Sequence, residues 1–229
     1  EMLTRDWSSD VCSSDLVFMF HPVREIKPTR RSVSGVYPFR KQYSLAYESS
    51  LERDFIVLQE FDSSVIKVIA QPIKIPFLLK GRNYHYTPDF LVLFEQSCLK
   101  RGMLVEVKPE SEWRNHWRSW LSKWKAAYRW AVERDFLFHI YDESRIRGQR
   151  LANIKTLSRF LDKQSDDALA SLIADFVGDS MVSMGDILSH FSTFPACSSE
   201  VYRMLANRGL FFDLEGPLSA DTLIWRKND

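Results

Sequence analysis

Two apolar segments of this chain, PDFLVLF (residues 88–94) and MLVEVK (residues 103–108), carry Asp89, Glu106 and Lys108 where a buried strand normally holds no charge. Side chains alternate across a strand, so Leu104, Glu106 and Lys108 share one face while Val105 and Val107 take the other. The same rule sends Asp89 with Leu91 to the side opposite Phe90 and Val92. If the two segments are antiparallel neighbours joined by EQSCLKRG, the entry of the first lies beside the exit of the second. Two carboxylates about 4 Å apart at an effective dielectric near 20 repel by roughly 4 kcal/mol, a large part of a domain's net stability. A fold that accepts them needs positive charge between them, from Lys108, a divalent cation or both. By spacing alone the trio reads either as an ion pair on a solvated sheet edge or as a phosphodiester-cleaving site. In the second reading a hard cation polarises the phosphoryl oxygen while the lysine orients or activates water.

The rest of the chain sets the frame. With 229 residues and a formal net charge of +1, there is enough chain for a sizeable core, and attraction to nucleic acid has to come from local basic patches. Cys12, Cys98 and Cys197 have no paired spacing, which argues against a disulfide framework or a cysteine zinc site. The five histidines are scattered without ligand spacing. No apolar run approaches a membrane span. A cytoplasmic protein is the expectation. The segment WSSDVCSSDL within the first sixteen residues repeats SSD and resembles a translated sequencing adapter. Residues 1–16 are accordingly expected to be a non-native leader, with the native sequence resuming near Val17.

Between residues 22 and 44, Arg24, Lys27, Arg30, Arg31, Arg40 and Lys41 sit among Pro, Ser and Gly, the composition of an extended basic arm with turns. It reads as a solvated leader or as a phosphate-contacting arm. Leu51, Phe55 and Leu58 then mark an amphipathic helix opening at the serines, with Ser49 and Glu52 spaced as a capping box. Glu52, or Glu48 beside it, is a third acid able to face the sheet. Successive strands with a turn at KGRN follow, and Pro109 stops the strand MLVEVK. A long helix spans Ser111 to about Arg134, with Trp113, Trp117, Trp120 and Trp124 on one stripe. Such a stripe is read as core in preference to a base-stacking platform. The strand DFLFHIYDE completes an α/β layered domain of residues 17–161. Beyond a polar stretch at 162–170, two short helices and a small hairpin suggest a winged-helix-like unit over 162–229. Its second helix offers only Arg203 and Arg208 against Glu200, as suited to protein docking as to base reading.

Taken together, SLERDF, AQP, YTPDF, EVKP and the basic leader PTRRSVSG resemble the PD-(D/E)XK nuclease superfamily, and most closely TnsA, the endonuclease subunit of heteromeric DNA transposons. The likeness covers roughly residues 27–145. It implies a restriction-endonuclease-like mixed sheet flanked by helices, with a small carboxy-terminal winged-helix-like domain. It also implies catalytic residues Glu52, Asp89, Glu106 and Lys108, with metal held by Asp89, Glu106, Glu52 and the Val107 main-chain carbonyl. Gln71 would be a supporting hydrogen-bond partner, and Arg30, Arg31, Arg40 and Lys41 would contact DNA. The implied cofactor is Mg2+, as one ion or two, with Mn2+ able to substitute. The implied partners are double-stranded transposon-end DNA, a DDE-type transposase and an AAA+ regulator. The implied reaction is hydrolysis of the non-transferred 5′ strand in a bacterial cytoplasm. A restriction or repair nuclease on the same fold, or an inactive adaptor that binds DNA through the winged helix, are the competing readings.

Overall fold

The computed structural model describes residues 20–23, 33–95 and 98–227. The expected leader at 1–16 and the predicted DNA contacts Arg30 and Arg31 lie outside the described residues. The described chain divides into two compact units, the first ending at Ile146 and the second beginning at Arg147.

In the first unit, strands β1 (Gly35–Phe39) and β2 (Tyr43–Tyr47) form an antiparallel hairpin, followed by helix α1 (Ser50–Phe61). Four strands build the central sheet: β3 (Val65–Ala70), β6 (Phe90–Phe94), β7 (Gly102–Val107) and β8 (Phe136–Tyr141), in the order β3-β6-β7-β8. The first two pairings are antiparallel and the last is parallel, so the sheet is mixed. Strands β4 (Ile75–Leu79) and β5 (Arg82–Tyr86) leave it as a separate two-stranded ribbon. Between β7 and β8 the chain crosses over through α2 (Glu110–Val132), and the short helix α3 (Glu143–Ile146) ends the unit.

The apolar pattern explains the layering. Phe55 of α1 stacks on Phe90 and meets Tyr141 edge-on, so α1 covers the face that carries the even-numbered residues of β6. Leu91, Leu93, Leu104 and Phe136 belong to the opposite core, with Trp124, Ala127, Trp130 and Ala131 of α2. Strand β7 is buried along its whole length, and at Gly102 an added Cβ would lie 2.3 Å from the Val92 carbonyl oxygen. Only glycine lets β6 and β7 approach this closely, which fixes the register in which Phe90 faces Val105. The tryptophan stripe divides along α2. Trp124 is core, Trp113 and Trp120 pack partly against it, and Trp117 stays 44% exposed.

The basic arm is where expectation and structure part. Residues 35–47 are a hairpin, and Arg40 in its turn is occupied by the end of α1. Its guanidinium donates to the carbonyls of Glu60 (3.2 and 3.3 Å), Asp62 (2.6 Å) and Val65 (2.7 Å), and its main-chain N–H donates to the Glu60 carboxylate at 2.5 Å. Helix carboxyl ends leave carbonyls without partners, and a cation there answers both the hydrogen-bond deficit and the dipole. Arg40 therefore acts as a clamp between the hairpin, the end of α1 and the start of β3. Lys41 is exposed in the same turn.

The second unit holds α4 (Gln149–Leu157), α5 (Asp167–Val177), β9 (Val182–Ser183), α6 (Met184–His190), α7 (Cys197–Ala206), β10 (Phe211–Phe212) and β11 (Leu223–Trp225). Its strands pair antiparallel in the order β10-β11-β9. Asn153 of α4 donates to the Leu214 and Gly216 carbonyls at 2.9 and 2.8 Å, so α4 belongs to this unit. The division thus falls about one short helix earlier than the expected boundary at 161/162. Arg203 is bound to buried Glu200 at 2.6 Å, which leaves little charge on α7 for DNA.

Because Arg40 satisfies two carbonyls at the end of α1 and one at the start of β3, Arg40→Ala is expected to destabilise the first unit by about 2–3 kcal/mol, read from urea unfolding. A purely DNA-contacting arginine would leave the unfolding midpoint unchanged.

Candidate active site

Extending the β6/β7 register by one residue sets Asp89 opposite Glu106, at the end of the sheet where Pro88 and Pro109 interrupt strand pairing. The main-chain N–H of Val107 donates to Asp89 Oδ2 at 2.8 Å, which ties the carboxylate to the strand that carries Glu106. Lys108 places its Nζ 3.5 Å from Asp89 Oδ2 and 3.9 Å from Glu106 Oε1. The structure therefore brings Asp89, Glu106 and Lys108 together.

Glu106 is only 1% exposed and has two further partners that the sequence reading did not identify. Lys123 of α2 sits 3.0 Å from Oε1, and the hydroxyl of Tyr86 donates a short hydrogen bond to Oε2. The Lys123 ammonium is in turn surrounded by the rings of Trp120, Tyr86 and Trp124, with centroids at 4.7, 4.8 and 5.8 Å. Aromatic faces attract a cation without contributing a counter-charge, so the rings hold the ammonium in place against Glu106. The tryptophan stripe thus has a use beyond core packing: it lines the path of a half-buried lysine. Its trace in the sequence is a lysine between Trp120 and Trp124, fifteen residues beyond Lys108.

Glu52 closes the start of α1 with both of its carboxylate oxygens. Its Oε2 accepts from the Glu48 main-chain N–H at 2.8 Å, its Oε1 accepts from Ser49 Oγ at 3.0 Å, and Ser49 Oγ accepts from the Glu52 N–H at 3.1 Å. Both oxygens serve the capping box, and α1 lies on the opposite face of the sheet from Leu104 and Leu91. Among the described residues no three His, Cys, Asp or Glu side chains converge closely enough to hold a metal ion. Glu52 nevertheless feels Lys108 electrostatically, which places it near the same end of the sheet.

Gln71 also acts differently from expectation. Its main-chain N–H donates to the Asp89 carbonyl at 2.8 Å, while its buried Oε1 has no partner among the described residues. Its φ of 47° lies in the left-handed region, a strained conformation for a residue with a Cβ. Gln71 supports Asp89 through the backbone.

The electrostatics follow from burial. Desolvation, then the charge of Glu106, pushes the Asp89 carboxyl well above the usual range, with Lys108 opposing. Burial alone would lower the Lys108 ammonium, but Asp89, Glu106 and Glu52 outweigh it and hold the ammonium above its ordinary value. Burial and the charges of Glu106 and Asp89 likewise raise Tyr86, so it remains a donor. Hydrogen bonds among the described residues reach only Oδ2 of Asp89, which leaves Oδ1 for a cation. Mg2+ takes hard oxygen ligands and commonly only one or two carboxylates, a demand that Asp89 Oδ1 meets directly, whereas both oxygens of Glu106 are engaged by Tyr86 and Lys123.

Residues 62–143 match the protein family described as TnsA-like endonuclease N terminal. Among curated proteins none matches this chain. Among the described residues no helix is long and apolar enough to cross a membrane.

An isolated aspartate titrates near pH 3.9 when unfolded. Because the folded value is raised, wild-type stability falls as pH climbs from about 4 through the folded pKa. Asp89→Asn, which keeps an acceptor for the Val107 N–H, is expected to raise the thermal midpoint above that window by a few degrees and to lose its advantage below about pH 4. A variant less stable than wild type at neutral pH contradicts this account of the site.

Proposed function

We propose, on the premise that residues 62–143 form a TnsA-like endonuclease domain of the PD-(D/E)XK type, that this transposase-associated nuclease hydrolyses the non-transferred 5′ strand at transposon ends with Mg2+. The observation that carries the reading is the convergence of Asp89, Glu106 and Lys108 at one end of the central sheet. Asp89, Glu106 and the Val107 carbonyl would hold the ion, and Glu52 shapes the charge around Lys108. When bound, Mg2+ supplies a Lewis acid for the phosphoryl oxygen and eases formation of hydroxide.

The chain's own residues do the rest. Lys108, kept charged by its carboxylate neighbours, faces the developing negative charge of the phosphorane and orients the attacking water. Tyr86 and Lys123 fix both oxygens of Glu106, so that the ligand set is held in place before DNA arrives. Only Oδ2 of Asp89 is fixed in the same way.

The second unit runs helix, strand, helix, helix, strand, strand from α5 onward, an order that supports a winged-helix reading. With Arg203 neutralised by Glu200, protein docking is favoured over base reading there. A DDE-type transposase at the nuclease and an AAA+ regulator at the second unit are the partners in this reading, in a bacterial cytoplasm.

Strand-specific cleavage of a labelled transposon-end duplex, with the partner transposase present, tests the proposal. Wild type in Mg2+ is expected to cut the 5′ side. Lys108→Ala and Glu106→Gln are expected to slow that cut by about 100-fold or more without loss of complex assembly. Cutting confined to the transferred strand, or undiminished in both variants, would refute it. The docking role fails if the chain truncated after Ile146 still recruits the AAA+ protein.

A further inference from the structure

Residues 71–88 contain Lys74, Lys80 and Arg82 and no Asp or Glu, in a chain whose basic and acidic residues otherwise nearly balance at 31 and 30. This segment is the β4–β5 ribbon. All three cations are exposed, and none forms an ion pair among the described residues. The ribbon turns at Lys80 and Gly81, whose φ values of 49° and 76° are both in the left-handed region. A two-residue turn of this kind matches the twist of the flanking strands and makes a stiff hairpin.

The root of the ribbon is fixed to the site. Ile75 pairs with Tyr86, both are buried in the core against α2, and the Tyr86 hydroxyl holds Glu106. Phe77 stacks on Tyr84 and packs partly on the same core. The other face carries Pro76, Leu78, Asn83 and His85, and Leu78 is 63% exposed. Three exposed cations without an acid among residues 71–88 match the closely spaced charges of a phosphate backbone.

We infer that the β4–β5 ribbon is a DNA-binding arm, in which Lys74, Lys80 and Arg82 hold backbone phosphates of the duplex beside the scissile bond. Five residues per strand reach about 17 Å from the root, or about five base pairs at 3.4 Å each. Phosphates gripped at the tip therefore belong to the duplex flanking the cut, because Asp89 follows three residues after Tyr86 at the root of the ribbon. This assignment rests on the nuclease reading of the site and adds to it the surface that delivers the substrate.

The test uses the full chain and a fluorescently labelled duplex without divalent metal, so that binding is read without cutting. Affinity is measured by anisotropy across a salt series for wild type and for the triple variant Lys74→Gln, Lys80→Gln, Arg82→Gln. Each lost phosphate contact reduces the slope of log K against log salt by about 0.9. The triple variant is expected to lower the slope by about 2.7 and to weaken binding more than tenfold at low salt, with an unchanged unfolding midpoint. A wild-type slope and affinity in the variant would overturn the inference even if transposon ends are still cut. Loss of transposase-dependent cutting with an unchanged DNA slope would also overturn it, assigning the ribbon to a protein partner. Failure of the nuclease reading itself shows separately, as absence of strand cleavage by a chain whose ribbon binds duplex normally.

Discussion

Two carboxylates facing each other across β6 and β7 organise the first unit. Asp89 and Glu106 come from antiparallel neighbours whose register is held by the close approach at Gly102. Their mutual repulsion inside a low-dielectric end of the sheet has to be offset, and three separate elements supply the partners. Lys108 follows on the same strand, Lys123 reaches in from α2, and Tyr86 from the ribbon donates a hydrogen bond. Strand register, helix placement and ribbon root are thus tied to one electrostatic demand.

Burial separates the roles of groups that look alike in sequence. Glu52 and Glu106 are both nearly buried acids, yet Glu52 spends its oxygens on a helix start while Glu106 spends them on a lysine and a tyrosine. Lys108 and Lys123 are both held by carboxylates, but only Lys123 lies among aromatic rings. The arrangement leaves one aspartate oxygen uncommitted at the mouth of the site, the place where a hard cation and a phosphate can meet.

Strand alternation was enough to read Asp89 and Glu106 as neighbours, because period-two patterning and two prolines survive any uncertainty in element boundaries. The same rule could not identify Lys123, since its contact depends on how a helix rolls over the sheet, a tertiary property with no local trace except the flanking tryptophans. The cap made by Glu52 was legible because Ser49 and the Glu48 N–H are adjacent to it in the chain. The clamp made by Arg40 had no sign in the sequence, because a Pro-Phe-Arg-Lys turn does not reveal that it folds back onto a helix end. In the second unit α4 went unassigned: Leu151, Ile154 and Leu157 suggest a helical face, but the packing that selects it comes from residues near 215.

The most direct test of the central claim is calorimetric titration of the protein with Mg2+ or Mn2+ at neutral pH. An Asp89 whose Oδ1 receives the cation predicts divalent-ion binding by the wild type that is lost in Asp89→Asn. Binding that persists unchanged in Asp89→Asn would contradict the account.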